Sequence, residues 1–271
     1  MFRLLVILSL LPGISASRPD SLVYARLDSM ITEYTLALRT EDTPVKCREV
    51  DFMISSCSDS AARSHIAIKL YSNYVDSPVM GEEEVAIHIY DKWFATGEVK
   101  MNSETDLLNA RIFADFNRNS LIGMDAPVLE MENLAGARER VPVKGKTCLL
   151  YFYDVSCPSC STQTILLPYA LGEVDFDIEF IAIYTGADRK AWETYCSEKL
   201  QFDNPHIRVH HLWDPEIETD YQRMYSILST PRLFMVEPQG SIIGRRLSAE
   251  SLGQLLIYAG AIQNLYDKYL K

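Results

Sequence analysis

Beyond residue 120 short β-rich runs alternate with helical ones, and that alternation leaves few folds open. "KTCLLYFYD" reads as a strand, with a helix after it reaching about Leu171. "DIEFIAIYT" is a second strand, and Asp188 to Leu200 a second helix. "IRVHHLW" reads as extended and "IETDYQRMYSI" as helical. "RLFMVE" and "SIIGRRL" are strands joined by "PQG", a hairpin turn signal. Ser248 caps a final helix running from about Ala249 toward Lys271. Strands interleaved with helices, then an antiparallel hairpin and a last helix, predict an α/β domain with a mixed central sheet flanked by helices.

The first half has a different texture. Leu27, Met30, Ile31, Tyr34 and Leu38 recur at helical spacing, as do Ala86, Ile89, Tyr90 and Trp93, then Leu108, Ile112 and Phe116. Ser103 is placed to cap the last of these helices. Four or five short helices are expected, forming an all-α domain over residues 18–120 ahead of the α/β domain at 121–271. His65 and His88 fall within these helices without metal-type spacing, so ordinary packing is their default reading.

Residues 1–17, "MFRLLVILSLLPGISAS", carry a basic residue, an apolar run, a Pro-Gly breaker and small residues. That order is a secretory signal peptide, cut after Ala16 or Ser17. The run falls short of the roughly 20 apolar residues a spanning helix needs, and no cysteine follows it for a lipid anchor. The expectation is an exported, periplasmic protein with no stable membrane insertion. With 37 acidic against 26 basic side chains, the chain lacks the cationic surplus that nucleic acid binding requires.

Export places the thiols in an oxidising compartment. Cys47 and Cys57 bracket one helix, and ten residues at about 1.5 Å each separate them by about 15 Å, beyond the reach of a bridge. Cys196 shares a helical stripe with Trp192 and Leu200, and Cys148 opens an apolar strand, so burial is the default for both. Cys157 and Cys160, in "YDVSCPSCSTQT", remain as a deliberate pair. Cys157 stands where a strand ends and a helix begins. Unpaired amides and the positive end of the helix dipole there favour thiolate over thiol. Pro158 suits the first helical position, and Ser159 completes the loop. Cys160, one turn on, can attack a mixed disulfide formed on Cys157. The second element is "STPRLF", where a cis Pro231 would leave the Thr230 backbone open to an extended peptide. An ordinary trans proline opening an edge strand is the competing reading.

Three motifs in order, "IGMDAP", "LLYFYDVSCPSC" and "STPRLFMVEPQGSIIGRRL", resemble a TlpA/ResA-like thiol–disulfide oxidoreductase of the thioredoxin superfamily over residues 121–258. The helical half, with "DSPVMGEEEV" and "FADFNRNSLIGMDAP", resembles the N-terminal domain fused to such modules in exported Bacteroides-type proteins. The resemblance implies Cys157 as nucleophile, Cys160 as resolving thiol and Thr230–Pro231 as substrate-facing loop. It also implies cysteine-containing protein substrates, a membrane or periplasmic electron donor, a reducing or isomerising direction, and no cofactor. Three positions depart from the pattern: Tyr151 replaces the buried Asp of thioredoxins, Gln163 a frequent Glu, and Ser156 a common aromatic. A closed structural disulfide, a zinc half-site completed by Cys196, His210 or His211, and a peroxidase are the rival readings of the pair. The last wants Thr or Ser where Asp154 stands. The alternative for the whole chain is a non-catalytic thioredoxin-fold module that binds peptides at the cell envelope.

Overall fold

A computed structural model describes residues 21–270; the expected signal peptide lies outside them. The chain divides into two compact units, Met1–Ala114 and Asp115–Lys271.

Helices dominate the first unit: α1 (Ser21–Ala37), α2 (Thr43–Ser55), α3 (Ser60–Val75), α4 (Glu83–Ile89) with a π-helical turn at Tyr90–Phe94, and α5 (Glu104–Asn117), which crosses the division. Asp59 caps α3 by accepting the Ala62 amide at 2.8 Å, and Ser103 caps α5 through the Asp106 amide at 3.1 Å. Ile31, Val50, Ile54, Ile66, Leu70, Val85 and Ile89 are buried from this set. His65 pairs with Asp28 and His88 with Asp51, so both histidines serve packing.

The second unit is built on a seven-stranded sheet in the order β2-β1-β5-β4-β3-β6-β7. Its strands are β1 (Leu129–Asn133), β2 (Arg138–Val141), β3 (Thr147–Tyr153), β4 (Ile178–Tyr184), β5 (Ile207–Trp213), β6 (Arg232–Val236) and β7 (Ile242–Gly244). The helices are α6 (Pro158–Leu171), α7 (Arg189–Glu198), the short α8 (Tyr221–Met224) and α9 (Leu252–Tyr269). β3, β4 and β5 run parallel, and β6 pairs antiparallel to β3. The mixed sheet and its helices match the expectation; α8 is one turn where a longer helix was expected.

The β1–β2 hairpin escaped the sequence reading because its turn carries no Asn-Gly or Pro signal. Asn133 Oδ1 instead accepts the amides of Ala135 and Ala137 at 2.9 and 3.0 Å, and Gly136 supplies the left-handed residue at φ +79°.

All seven residues of β3 and of β4 are buried, as strands covered on both faces must be. Leu149, Tyr151 and Tyr153 face a core shared with Leu167 of α6, Trp192 of α7 and Leu252 of α9. Cys148, Leu150 and Phe152 face the opposite core with Tyr221 and Tyr225. Cys148 and Cys196 are both buried. The first residue of β3 is pinned by Gln263 of α9, whose Oε1 accepts the Thr147 amide and hydroxyl, each at 2.9 Å. Gln263→Leu leaves two buried donors without that acceptor, and should cost about 1–3 kcal/mol. The check is a lower urea midpoint at unchanged slope.

Candidate active site

β3 delivers the chain to the surface at Asp154. Its Oδ1 accepts the Ser156 amide at 2.7 Å and the Ser156 hydroxyl at 2.6 Å, closing a turn that aims the next residue at the start of α6. Asp154 thus serves as the turn residue before the cysteine pair.

Cys157 is the N-cap of α6, with extended backbone at φ −85° and ψ 116°, and Pro158 follows in the first helical turn. The cap acceptor is sulfur: Cys157 Sγ receives the Cys160 amide at 3.2 Å. Caps are usually Ser, Thr, Asp or Asn, whose oxygen takes an otherwise unpaired N–H. A sulfur in that role does the same work best when ionised. Pro158 and Ser159 are exposed, Cys157 is half-buried, and Cys160 is fully buried.

The two thiols are driven apart. Burial alone would raise the Cys157 thiol, but hydrogen bonds from the Cys160 thiol and amide, the Thr230 hydroxyl and the Ser159 amide outweigh it and hold the group below its ordinary value. The Thr230 carbonyl, 3.4 Å from the sulfur, accepts from the protonated form and opposes them. Burial pushes the Cys160 thiol up to about 12, and the charge on Cys157 adds to the rise against a backbone hydrogen bond with Asp154. One sulfur is therefore partly accessible and eased toward ionisation, and the other is a buried thiol within a turn of it.

The Thr230–Pro231 peptide is cis, the geometry the sequence left open. The loop it ends lies against Cys157 through the Thr230 carbonyl. Leu228 and Ser229, just before it, are exposed. The structure thus brings together Cys157, Pro158, Ser159, Cys160, Thr230 and Pro231.

The positions that depart from the resemblance have their own partners. Tyr151, fully buried, donates its hydroxyl to the Cys160 carbonyl at 2.9 Å and lies 3.0 Å from the Thr164 hydroxyl. Tyr195 of α7 donates to the same Thr164 oxygen at 2.9 Å. Burial raises the Tyr151 phenol, so it stays a neutral donor and bears no charge toward Cys160. Gln163 accepts the Ala249 amide at 2.7 Å and reaches Glu250 at 3.4 Å, tying α6 to the start of the last helix. Thr164 and Tyr195 were missed in the sequence, although Thr164 stands one helical turn beyond Cys160 on the same face.

Of the residues weighed as zinc partners, Cys196 and His210 have partners elsewhere. Cys196 lies 3.7 Å from the Tyr153 hydroxyl. His210 bridges Glu139 and Glu179 at 2.8 and 2.6 Å. Burial pushes His211 down to about 4. Among the described residues no group of three or more His, Cys, Asp or Glu could hold a metal ion, and no helix is long and apolar enough to cross a membrane.

Residues 145–242 match the family model for thioredoxin-like proteins. The C-terminal unit is a thioredoxin-like domain. Among solved structures, a thioredoxin-like protein from Bacteroides caccae aligns with a TM-score of 0.68 at 13% identity, over 90% of this chain and 88% of its own. At that identity the likeness is one of fold. The thioredoxin domain of a thiol-disulfide oxidoreductase from Bacteroides vulgatus aligns with a TM-score of 0.44 at 20% identity, over 51% of this chain and 96% of its own. No curated protein matches the chain.

The depressed Cys157 thiol has a stability consequence of definite sign. Its contribution is complete above the unfolded thiol value of about 8.5 and is lost as pH falls through its folded value. Cys160, held high, contributes below about 8.5 and loses its contribution as pH rises toward its folded value. The stability of reduced wild type minus that of reduced Cys157→Ser should therefore rise with pH up to about 8.5. Urea unfolding across that range under reducing conditions checks it; a flat difference would contradict it.

Proposed function

We propose that the protein is an exported thiol–disulfide oxidoreductase of the TlpA/ResA type, exchanging disulfides with protein substrates through Cys157 and Cys160. The observation that carries this reading is the unequal pair itself: a half-buried sulfur receiving helix-terminal amides, with a buried thiol at the next turn.

The Cys157 thiolate attacks one sulfur of a client disulfide. A Cys157–client disulfide forms, and the client's other sulfur leaves as thiolate. Cys160 then gives up its proton and attacks Cys157 Sγ, making the internal disulfide and releasing the client's second thiolate. Two electrons pass to the client, with the Cys160 proton and one from solvent. An external dithiol, in the cell a membrane or periplasmic donor, returns the pair to the reduced state. Ionisation of Cys157 favours the first step, because the thiolate is the attacking species. Burial of Cys160 keeps the second sulfur from competing with it for clients.

The Thr230 loop supports substrate positioning. Its amide meets no acceptor among the described residues, so an extended client segment can pair with it as an added strand. Tyr151 holds the first turn of α6 by the Cys160 carbonyl and by the Thr164 hydroxyl, which keeps the two sulfurs in register. No group of this chain acts as a dedicated base in the scheme; the departing client thiolate can take the Cys160 proton.

Purified reduced protein should cleave an insulin-type disulfide with a dithiol as electron source, and Cys157→Ala should lower the rate to the uncatalysed level. Cys160→Ser should accumulate mixed disulfides, visible as reductant-sensitive bands on non-reducing gels. Unchanged turnover in Cys157→Ala, or no adduct with Cys160→Ser, would refute the assignment and leave a peptide-binding module.

A further inference from the structure

Arg232 occupies the first position of β6, directly after the cis proline, opposite Phe152 in the β3 ladder. Its Nη2 donates to the Ser229 hydroxyl at 3.0 Å. That places the guanidinium on the same four-residue loop whose Thr230 carbonyl touches Cys157 Sγ. Among the described residues Arg232 has no carboxylate within ion-pair distance. Its donor fork is thus met on this side by one neutral oxygen, although five N–H groups are available.

A second cation lies alongside. The Leu247 amide donates to the Leu233 carbonyl at 3.3 Å, so the chain leaving β7 runs beside the start of β6 and carries exposed Arg246 next to Arg232. Burial, with Arg246's charge, lowers the Arg232 guanidinium from its ordinary value, and it remains charged at neutral pH. Arg232 is thus half-buried beside a second cation, with no carboxylate partner among the described residues.

We propose that Arg232 determines client choice: it takes a carboxylate, from Asp or Glu, on the extended segment that pairs with the Thr230 loop. A guanidinium fork accepts a carboxylate in two parallel hydrogen bonds, a geometry lysine does not reproduce. A strand added at Thr230 presents side chains from residues flanking its cysteine, and those on the Arg232 side meet the cation. The preferred substrate class is an acidic peptide segment bearing a disulfide-bonded cysteine. This rests on the redox reading for turnover but not for binding.

Three disulfide-bonded peptides, identical except for Glu, Gln or Lys flanking the cysteine, test the proposal with the full-length reduced protein. Wild type should favour the Glu peptide over the Gln peptide by about tenfold in second-order rate, the size expected of a charged hydrogen bond. The Lys peptide should be slowest. Arg232→Gln should bring the Glu- and Gln-peptide rates within about twofold of each other, and Arg232→Lys should restore part of the preference. Added salt should narrow the spread in wild type. Equal wild-type rates on the three peptides, or a preference that survives Arg232→Gln, would overturn the proposal. The same peptides with Ser in place of Cys separate it from the redox reading. If no disulfide is exchanged, but the acidic Ser peptide binds wild type more tightly than Arg232→Gln, the oxidoreductase reading falls and the acidic site stands. Absence of any charge preference in both assays overturns the site.

Discussion

The contact between Cys157 Sγ and the Cys160 amide is a helix cap made by sulfur. A helix start leaves its first amides without partners, and here one of them is aimed at a side chain that can ionise. The same bond therefore starts α6, lowers the cost of a negative sulfur and sets the distance to the second cysteine. Asp154 prepares it by folding the preceding turn onto Ser156, and the Thr230 loop closes over it. Loosening the cap would disturb the nucleophile, the helix and the register of the two sulfurs together.

Behind the cap, packing accounts for the inequality of the pair. β3 is buried along its length, so the turn above it rests on a floor that cannot yield locally. Tyr151 holds that floor to the Cys160 carbonyl, and Thr164 links it to Tyr195 on the neighbouring helix. These groups are neutral hydroxyls. They position the helix without placing a second negative charge beside Cys157, and they leave Cys160 high at about 12. An acidic group in place of Tyr151 would change the proton balance of the second step more than the geometry of the first.

Much of this was legible in the sequence because it follows from short-range rules. Strand, turn, Pro158 and the i, i+3 spacing of the cysteines together specify a capped helix with both sulfurs in its first turn. Apolar runs identified β3 and β4, and the "PQG" turn identified the β6–β7 hairpin. Long-range partnerships were not legible. Nothing local says that Tyr151 meets a carbonyl nine residues on, that Gln163 reaches Ala249, or that His210 lies between two glutamates from other strands. The β1–β2 hairpin was lost because an Asn side chain closes its turn in place of the usual dipeptide. Arg232 looked like an ordinary strand residue; that no described carboxylate lies within ion-pair distance of it is a property of the folded surroundings.

The account stands or falls on the charge state of one sulfur in the reduced protein. Thiolate ultraviolet absorbance, titrated in wild type, Cys157→Ser and Cys160→Ser, isolates it. The prediction is a single transition below the ordinary thiol value that disappears in Cys157→Ser, with Cys160 still protonated to high pH. A Cys157 transition at the value of a free thiol in water would contradict the account, leaving the capped helix as a structural feature without a nucleophile.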